Sequence, residues 1–394
     1  MIHMSGNEND ASSTRAGRYV SQIHGHKAFM PNSLPPAPPL AMDDELLTLL
    51  SAADRALGRL DGSTGTLPNP DLFVYMYVRR EAVLSSQIEG TQASLMDVLE
   101  FEAEAVKPDH PQDVPEVVNY VNAMNYGLAR LADLPVSVRL IREIHEKLLK
   151  GVRGSEKRPG ELRTQQNFIS DGGRNLDDAV FVPPPPEAVP DALANLERFL
   201  HDESPMPPLL KIGLAHAQFE TIHPFLDGNG RTGRLLITLL FCERQILGRP
   251  LLYLSHYLKK NRKDYYNRLQ AIRDQGDWEG WLKFFLRGIA TVSAEASETA
   301  ARIIALRETH RRLVSAKTGR GAGRALGLLE QLYLRPVVSV KQVAAMTNVT
   351  FPNANKLVES FTSLGLLTEV TGQKRNRAFA YKPYLEFFED PEPS

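Results

Sequence analysis

A glycine-rich stretch between two apolar helical segments is the feature that most constrains the fold of this chain. Residues 223–234 read HPFLDGNGRTGR, and the apolar residues of the preceding LLKIGLAHAQFETI recur at helical spacing. Because a proline disfavours helical angles in the residue before it, Pro224 predicts that the first helix ends at His223. The imidazole would then stand at the mouth of a loop, and a second helix is expected to begin near Thr232.

Two common ligands of glycine-rich loops are excluded by context. The glycines fit the dinucleotide fingerprint GxGxxG (Gly228, Gly230 and Gly233). That fingerprint has to follow a β-strand, whereas here it follows a helical segment. In a calcium-binding loop that starts at Asp227, the fifth position, which normally supplies an oxygen ligand, would be Arg231. A cation at that position excludes calcium.

A triphosphate ligand accounts for the whole stretch. Glycines allow backbone N–H groups to turn towards an anion, and the following helix adds its positive N-terminal end. Arg231 and Arg234 lie three residues apart on one helical face, where their guanidinium groups can grip neighbouring phosphates. Asp227 would face the phosphates through Mg²⁺, and His223 is suited to removing a proton from an attacking hydroxyl. The residues alone leave one alternative open, a structural anion site that His223 caps.

HPFLDGNGRTGR resembles, at every position, the signature HPFx(D/E)GNGRxxR of the Fic (Fido) family. Fic proteins typically transfer AMP from ATP to serine, threonine or tyrosine hydroxyls of proteins. The resemblance implies that His223 is the general base and that Asp227 binds Mg²⁺. It also implies ATP binding by the residues that follow: Gly228, Asn229 and Gly230 at the anion hole, Arg231 and Arg234 at the β- and γ-phosphates, with Thr232 and Gly233 also at the nucleotide.

Residues 158–186 change the pattern from helical to β-like. The short runs NFIS and AVFV flank a Gly-Gly turn, and a tetraproline closes the segment, which together predict a β-hairpin. Fic proteins carry such a hairpin as a flap that holds the backbone of the target by strand addition. The resemblance therefore implies that the target is bound by Ala179, Val180, Phe181 and Val182.

Two further points of comparison with the family concern the reaction and the nucleoside. Kinase-like Doc relatives carry a lysine where this chain has Gly230 and lack a full flap, so AMP transfer is favoured over phosphate transfer. The segment YLKKNRKDYYNRLQ resembles the family segment near the nucleoside, which makes Tyr265 a candidate for the adenine or ribose side of ATP. Aromatic packing is the open alternative for Tyr265.

The stretch SSQIEGT, residues 85–91, carries a second resemblance to the family. Fic proteins contain an inhibitory helix with the pattern (S/T)xxxE(G/N), which Ser85, Glu89 and Gly90 match. The resemblance implies that Glu89 pairs with Arg234 in place of the γ-phosphate, so that ATP binds unproductively or not at all. A solvated surface carboxylate is the alternative for Glu89. In some family members the same glutamate orients a water molecule for the removal of AMP.

The C-terminal region reads as helix, short helix, turn, helix and hairpin, the outline of a winged helix-turn-helix. Polar and basic residues stand where such domains contact a partner: Asn353, Asn355 and Lys356 near the start of the second helix of the pair, and Lys374, Arg375 and Arg377 at the tip of the wing. Basic tips contact DNA phosphates, so DNA is one expected partner and another protein is the alternative. A DNA-binding regulator whose Fic core only senses nucleotide is the rival function.

These patterns together predict a mainly α fold. It would contain a Fic-type helical core with a small β-hairpin flap, an N-terminal helical extension and a C-terminal winged helix-turn-helix. The expected organisation is a flexible arm over residues 1–36, a helical region with the inhibitory helix over 37–110, the catalytic core over 111–293, a basic connecting helix over 294–325 and the winged helix over 326–394.

The composition is that of an ordinary globular protein, with 42% hydrophobic and 24% charged residues. The formal net charge of -1 excludes a globally basic nucleic-acid binder. No apolar run reaches the roughly 18 residues of a membrane span, and the first residues lack the apolar core of a signal peptide. We therefore expect a cytoplasmic protein without a membrane partner. The resemblance to the Fic family implies that it uses ATP and Mg²⁺, modifies protein hydroxyls and forms a homodimer. The single cysteine, Cys242, excludes an internal disulfide.

Overall fold

The computed structural model describes residues 13–22, 25–65, 71–104, 111–170, 175–373 and 377–389. Their contacts divide the chain into two compact units, each assembled from separate stretches of sequence. The first unit contains the described residues up to 54 together with 123–244 and 260–288, and the second contains those of 55–122, 245–259 and 289–389. Within this part of the chain, none of the helices combines the length and the apolar character needed to cross a membrane.

The fold is mainly helical. Its strands are β1 (Ser13–Thr14), β2 (Gly17–Ser21), β3 (Lys27–Pro31), β4 (Ile169–Ser170), β5 (Ala179–Phe181), β6 (Val337–Ser339), β7 (Thr368–Glu369) and β8 (Ala378–Ala380). Its helices are α1 (Asp44–Gly65), α2 (Asp71–Ile88), α3 (Leu95–Glu102), α4 (Val114–Arg130), α5 (Val138–Leu148), α6 (Val189–His201), α7 (Pro208–Ile222), α8 (Asn229–Glu243), α9 (Ser255–Lys260), α10 (Arg262–Gln275), α11 (Trp278–Lys317), α12 (Ala322–Leu334), α13 (Val340–Thr347), α14 (Phe351–Ser363) and α15 (Lys382–Leu385). The strands pair antiparallel in the orders β1-β2-β3, β4-β5 and β6-β8-β7.

Helix α7 lies in the interior of the first unit: it is rich in apolar residues, and its polar residues, among them Lys211, His216 and Glu220, are buried as well. Every residue from Leu209 to Ile222 is buried, as expected of an interior helix. Helices α6 and α8 pack against it. Gly213 allows α11 to approach closely: a Cβ atom there would lie 2.8 Å from Leu282 Cδ2, and Trp281 Nε1 donates to the Gly213 carbonyl at 2.8 Å. Helix α7 is therefore closely packed against α6, α8 and α11.

The first described residues form a sheet where the sequence predicts a flexible arm. Strands β2 and β3 pair antiparallel, and both Ala28 and Phe29 of β3 are fully buried. The prediction of a flexible arm over residues 1–36 is therefore wrong for the part of it that the structure describes. The local sequence KAFMP offers only a short apolar run, and its strand conformation depends on burial in the first unit, which local patterns do not reveal.

Strands β4 and β5 form the predicted hairpin, although both are shorter than the runs NFIS and AVFV. Ile169 lies opposite Phe181, and the predicted Gly-Gly turn lies outside the described residues. The hairpin is tied to the N-terminal sheet, because the Phe29 N–H donates to the Val182 carbonyl at 2.9 Å. The chain that follows β5 is thus anchored to the first unit.

Helix α11 is continuous over 40 residues, where the sequence predicts a core helix and a separate basic connecting helix over 294–325. The predicted break near residue 294 is wrong because no glycine or proline interrupts residues 289–317. Part of its basic charge is used within the second unit: Arg307 and Arg311 donate to the carboxylate of Glu330 in α12 at 2.9 and 2.6 Å.

The C-terminal part of the second unit follows the predicted order of elements with one addition. Helices α13 and α14 pack against each other, and α12 packs on α13. Strand β6, between α12 and α13, pairs with β8 and was not predicted. Because β8 also pairs with β7, it is the central strand of this small sheet.

The polar residues singled out in this region are only partly described. Asn353, Asn355 and Lys356 lie in the first two turns of α14, as predicted. Lys374 and Arg375 lie outside the described residues. Arg377 is described, and its guanidinium lies 5.3 Å from the centroid of a neighbouring aromatic ring, that of Phe379.

Candidate active site

Helix α7 ends at Ile222, and His223 turns the chain away from it. His223 has left-handed backbone angles, φ 49° and ψ 61°, and its N–H donates to the Phe219 carbonyl. This is a common way for a helix to end, although it usually employs glycine. The prediction that the helix ends at this residue is confirmed. His223 is half-buried, so its imidazole lies at the edge of the first unit's interior.

Arg163 holds the carbonyl groups that the end of α7 leaves without helical partners. Its Nε donates to the His223 carbonyl at 2.9 Å, and one of its terminal nitrogens donates to the carbonyls of Ile222 and Pro184. Its own N–H donates to the Pro224 carbonyl at 2.9 Å. Burial lowers the pKa of Arg163 to about 10, so the guanidinium remains charged at neutral pH.

Asn167 adds a second brace on the same side of the loop. Its Nδ2 donates to the carbonyl of Phe225 at 2.8 Å and to that of His223 at 3.3 Å. Since the His223 carbonyl therefore accepts from both Arg163 and Asn167, the strained left-handed residue is fixed from outside the motif.

His145 of α5 supports the turn of the loop. Its Nδ1 accepts from the Gly160 N–H at 2.8 Å, which leaves Nε2 protonated to donate to the Asp227 carbonyl at 2.9 Å. Its ring stacks on Phe225 with centroids 3.7 Å apart. Burial lowers the pKa of His145 to about 4, so the imidazole is neutral at physiological pH and keeps this tautomer.

The loop passes directly into α8, which begins at Asn229 and not near Thr232 as predicted. Gly228 takes up a left-handed conformation, φ 75°, which glycine adopts without strain. The Asn229 side chain then closes the turn, because it accepts from the Phe225 N–H at 2.9 Å and donates to the Phe225 carbonyl at 2.8 Å. The Thr232 hydroxyl donates to the Gly228 carbonyl at 2.9 Å. Both side chains therefore shape the loop from within.

Two cations lie in the first turns of α8. Arg231 and Arg234 are 1% and 2% exposed, which is unusual for a charged residue. A terminal nitrogen of Arg231 lies 3.9 Å from Asp227 Oδ1, and that oxygen accepts from the Gly228 N–H at 2.6 Å. Positive charge is thus concentrated where the helix dipole is also positive.

Asp227 is the carboxylate that the resemblance assigns to Mg²⁺. Its side chain is 40% exposed, and among the described residues no cluster of three or more histidine, cysteine or acidic side chains is arranged to hold a metal ion. Mg²⁺ is commonly held by one or two carboxylates together with phosphate oxygens and water. A single accessible carboxylate beside buried arginines fits a magnesium ion that arrives with a nucleotide.

Tyr265 lies in the core of the first unit. It is 1% exposed, and its hydroxyl is 2.9 Å from His216 Nε2, while His216 Nδ1 is 3.0 Å from the Gly233 carbonyl. Because a carbonyl only accepts, His216 donates through Nδ1 and accepts from the tyrosine. Burial lowers the pKa of His216 to about 3. These contacts favour the packing alternative for Tyr265, which supports α8 through His216.

The four predicted flap residues differ in their accessibility. Val180 is 55% exposed, whereas Phe181 is 2% and Val182 7% exposed; Ala179 is half-buried. Phe181 is covered by the guanidinium of Arg273, whose Cζ atom lies 3.7 Å from the ring centroid. Phe181 and Val182 therefore anchor the hairpin, while Val180 and Ala179 can reach a second chain.

The residues of the inhibitory pattern lie in the second unit, at the end of α2. Ser85 is fully buried, and Glu89 follows the last helical residue and is exposed. Gly90 has φ 95°, a conformation that favours glycine. The Gln87 side chain ties this turn to the chain that follows it, because its Nε2 donates to the Ala93 carbonyl at 2.9 Å.

The sequence reasoning missed the three residues that brace the loop from outside the motif. His145 occupies a position on the buried face of α5 that Leu140, Ile141, Ile144 and Leu148 share, and a polar residue on an apolar face was the available signal. Arg163 and Asn167 lie in residues 158–186, where the sequence pattern predicts only a β-hairpin. Their role depends on contacts with residues 56 to 60 positions away, which no local pattern shows.

Comparisons with known proteins cover most of the residues described above. Residues 47–129 match the family model described as Fic/DOC family N-terminal, and residues 135–241 match that of the Fic/DOC family. A probable protein adenylyltransferase of Aquifex aeolicus is 32% identical over 185 residues, 44% of this chain and 51% of the relative. The protein adenylyltransferase Fic of Drosophila yakuba is 30% identical over 249 residues, 62% of this chain and 46% of the relative. The chain thus spans about half the length of these two relatives.

Solved structures show the same fold. The crystal structure of a Fic family protein from Desulfovibrio desulfuricans covers 87% of this chain and 97% of its own, with a TM-score of 0.57 at 19% identity. That of a Fic domain containing signaling protein from Bacteroides thetaiotaomicron covers 65% of this chain and 95% of its own, with a TM-score of 0.51 at 18% identity. Residues 47–129 and 135–241 of this chain belong to the Fic/DOC family.

Proposed function

We propose that this chain is a protein adenylyltransferase, which transfers AMP from ATP to hydroxyl groups of proteins. One observation carries the proposal: a half-buried histidine, His223, and two buried arginines, Arg231 and Arg234, flank a loop held rigid from outside. The loop leads into the N-terminus of α8, a favourable place for phosphates. Two relatives support it: one is named a protein adenylyltransferase and the other a probable protein adenylyltransferase.

In this reaction the hydroxyl oxygen of the target attacks the α-phosphorus of ATP. The bond between that phosphorus and the oxygen that bridges to the β-phosphate breaks, and pyrophosphate leaves. His223 takes the proton of the attacking hydroxyl, for which a neutral imidazole near pH 7 is suited. The braces on the His223 backbone serve this step because a general base has to lie within hydrogen-bond reach of the proton it removes.

The first turns of α8 would neutralise the negative charges of the triphosphate. Arg231 and Arg234 neutralise the phosphates, and their burial makes the attraction stronger than it would be in water. Mg²⁺, held by Asp227 and the phosphates, supplies further positive charge when it is bound. The arginines and the helix dipole thus favour release of pyrophosphate by stabilising the charge that develops on it.

The hairpin would hold the segment of the target that carries the hydroxyl. Ala179 and Val180 are the accessible residues of β5, and strand addition there would select a backbone more than a particular sequence. Burial of Phe181 under Arg273 gives this edge a fixed position.

Glu89 would restrain the activity. In this part of the proposal the carboxylate pairs with Arg234 and competes with the γ-phosphate for it. A glutamate at the end of a helix lies in an unfavourable field, since helix C-termini are negative. A cationic partner outside the helix would offset that cost. The match of Ser85, Glu89 and Gly90 to the family's inhibitory pattern supports this restraint.

The position of a radiolabel in ATP tests the proposed reaction. The Glu89→Gly variant is incubated with Mg²⁺ and ATP labelled at either the α- or the γ-phosphate, and protein-bound label is counted after denaturation. AMP transfer incorporates the α-label and releases the γ-label in pyrophosphate. Incorporation of the γ-label would show phosphoryl transfer instead, and incorporation of neither label would contradict the proposed activity.

A further inference from the structure

The second unit contains a cavity of about 280 Å³ that the proposed reaction does not use. Its inner wall is apolar and comes from α2, α3 and the C-terminal segment around α15: Val83, Leu84, Leu99, Leu385 and Phe388. Each of these side chains is between 2% and 4% exposed. The volume lies close to the lower end, roughly 300 Å³, of small-molecule sites, and a mostly apolar wall is typical of them.

Two further lining residues, Leu95 and Met96, are apolar as well. The others are polar, and two of these polar residues are cations. Arg80 is already engaged, because a terminal nitrogen donates to the Phe387 carbonyl at 3.4 Å and its guanidinium lies over the ring of Tyr253. Lys259 is differently placed: its Nζ donates to Gln87 Oε1 at 2.7 Å, so its charge meets a neutral amide. Glu389, at the rim, is exposed and solvated.

We propose that this cavity binds a small amphipathic carboxylate whose apolar body contacts the inner wall and whose anionic group pairs with Lys259. An ammonium group forms a markedly stronger hydrogen bond with a carboxylate than with a neutral amide. The ligand would therefore displace Gln87 from Lys259. The apolar wall selects against small inorganic anions, which cannot bury hydrocarbon there.

The same exchange would act on the inhibitory turn, and this part of the inference rests on the proposed autoinhibition. Gln87 lies two residues before Glu89, and its side chain joins Lys259 to the Ala93 carbonyl, which follows that turn in the chain. When the carboxylate takes Lys259, this bridge loses one of its two ends. The turn that presents Glu89 loosens, and AMP transfer increases.

Binding is measured by isothermal titration calorimetry of the full chain with octanoate, with 1-octanol as an uncharged probe of the same length. We expect octanoate to bind and 1-octanol to bind at least about tenfold more weakly, the effect of losing one charge-assisted hydrogen bond. Lys259→Met should weaken the binding of octanoate to the affinity of 1-octanol. The matched control is Lys260→Met, which removes a neighbouring exposed lysine that does not line the cavity.

A second variant tests the location of the site. Met96 lines the cavity and is half-buried, so Met96→Trp fills the space from its mouth without removing a core side chain. This variant should keep the unfolding midpoint of the wild type within a few degrees and lose octanoate binding. Octanoate binding that persists in both Lys259→Met and Met96→Trp would overturn the proposed site.

The regulatory part is tested by AMP incorporation with and without octanoate. Octanoate should raise incorporation several-fold in the wild type, and should have no effect on Lys259→Met or on Glu89→Gly, in which the restraint is already absent. Octanoate binding without activation of the wild type, while Glu89→Gly is active, would overturn the coupling. An inactive Glu89→Gly variant would count against the proposed function, and absence of octanoate binding at millimolar concentration would overturn the cavity proposal by itself.

Discussion

His145 Nε2 lies 2.9 Å from the carbonyl oxygen of Asp227, a residue 82 positions further along the chain. The other ring nitrogen accepts from the Gly160 N–H, so both sides of the imidazole are used and its tautomer is fixed. The histidine therefore sets the position of the turn from which Asp227 and the start of α8 would face the nucleotide in the proposed reaction.

Replacement of His145 tests this positioning role. His145→Ala should raise KM for ATP and lower kcat, with a combined loss of roughly 10²-fold in kcat/KM, since small displacements of catalytic groups cost about that much. His145→Gln, which retains a donor near Nε2, should recover part of the loss. Both are measured in the Glu89→Gly background.

His201→Ala is the matched control for that experiment, because His201 also bonds a backbone carbonyl, that of Val136, but lies outside the loop. A loss of kcat/KM in His201→Ala equal to that in His145→Ala would show that the effect is one of general stability.

The two buried histidines predict a dependence of stability on pH. Burial lowers the pKa of His145 to about 4 and that of His216 to about 3 in the folded chain, whereas the unfolded value is near 6.5. The unfolded chain therefore binds more protons below pH 6.5 or so. The stability that the neutral histidines contribute is fully present above about pH 6.5 and is lost as the pH falls towards about 4.

Urea denaturation at about pH 7.5 and about pH 5 measures this effect, which should be on the order of 2 kcal/mol for each histidine. His145→Gln should reduce the difference in the free energy of unfolding between the two pH values by about the contribution of one histidine. An unchanged difference in that variant would show that other groups cause the pH dependence.

Removal of Glu89 should release the proposed restraint. Glu89→Gly is expected to raise AMP incorporation by more than about tenfold, because a competing carboxylate no longer engages Arg234. Glu104→Gly is the control: it removes the same charge from another exposed residue of the second unit, one with φ 55° where glycine is well tolerated.

Nucleotide affinities distinguish this mechanism from a general change in the protein. If Glu89 competes with the γ-phosphate, Glu89→Gly should tighten the binding of ATP and leave that of ADP nearly unchanged. Equal tightening for both nucleotides would contradict a competition for Arg234.

A charge on the exposed residue of the hairpin should impair recognition of the target. Val180→Asp is expected to reduce labelling of a protein or peptide substrate several-fold while the Kd for ATP stays the same, since Val180 is 55% exposed and can contact a second chain. Leu47→Asp, at a residue of α1 that is 47% exposed, is the matched control. Equal loss of labelling in both variants would argue against a target-binding role of the hairpin.

Local sequence patterns predicted the helices of the first unit well, because the spacing of apolar residues and the residues that end a helix lie within the helix or next to it. Pro224 marks the end of α7, and the helical spacing of the apolar residues in LLKIGLAHAQFETI marks the helix itself. The start of α8 was placed three residues late because the first turn, Asn229 to Arg231, lacks apolar residues. Its helical conformation depends on the Asn229 side chain, which bonds Phe225.

Contacts between distant residues explain what the sequence did not reveal. Phe29 becomes a buried strand residue through packing in the first unit. Arg163 and His145 gain their roles from backbone carbonyls 60 and 82 positions away. Tyr265 was assigned a place near the nucleoside from its neighbours in sequence, whereas its burial beside His216 is decided by the fold.

The central claim is that His223 removes the proton of the attacking hydroxyl, and one comparison tests it most directly. Intact-mass spectrometry is used to detect an added adenylyl group after incubation with ATP and Mg²⁺, for the Glu89→Gly variant and for Glu89→Gly with His223→Ala. The first should gain adenylyl groups, and the second should be slower by roughly 10²- to 10⁴-fold while its Kd for ATP remains within a few-fold. Adenylylation at equal rates in the two variants would contradict the account.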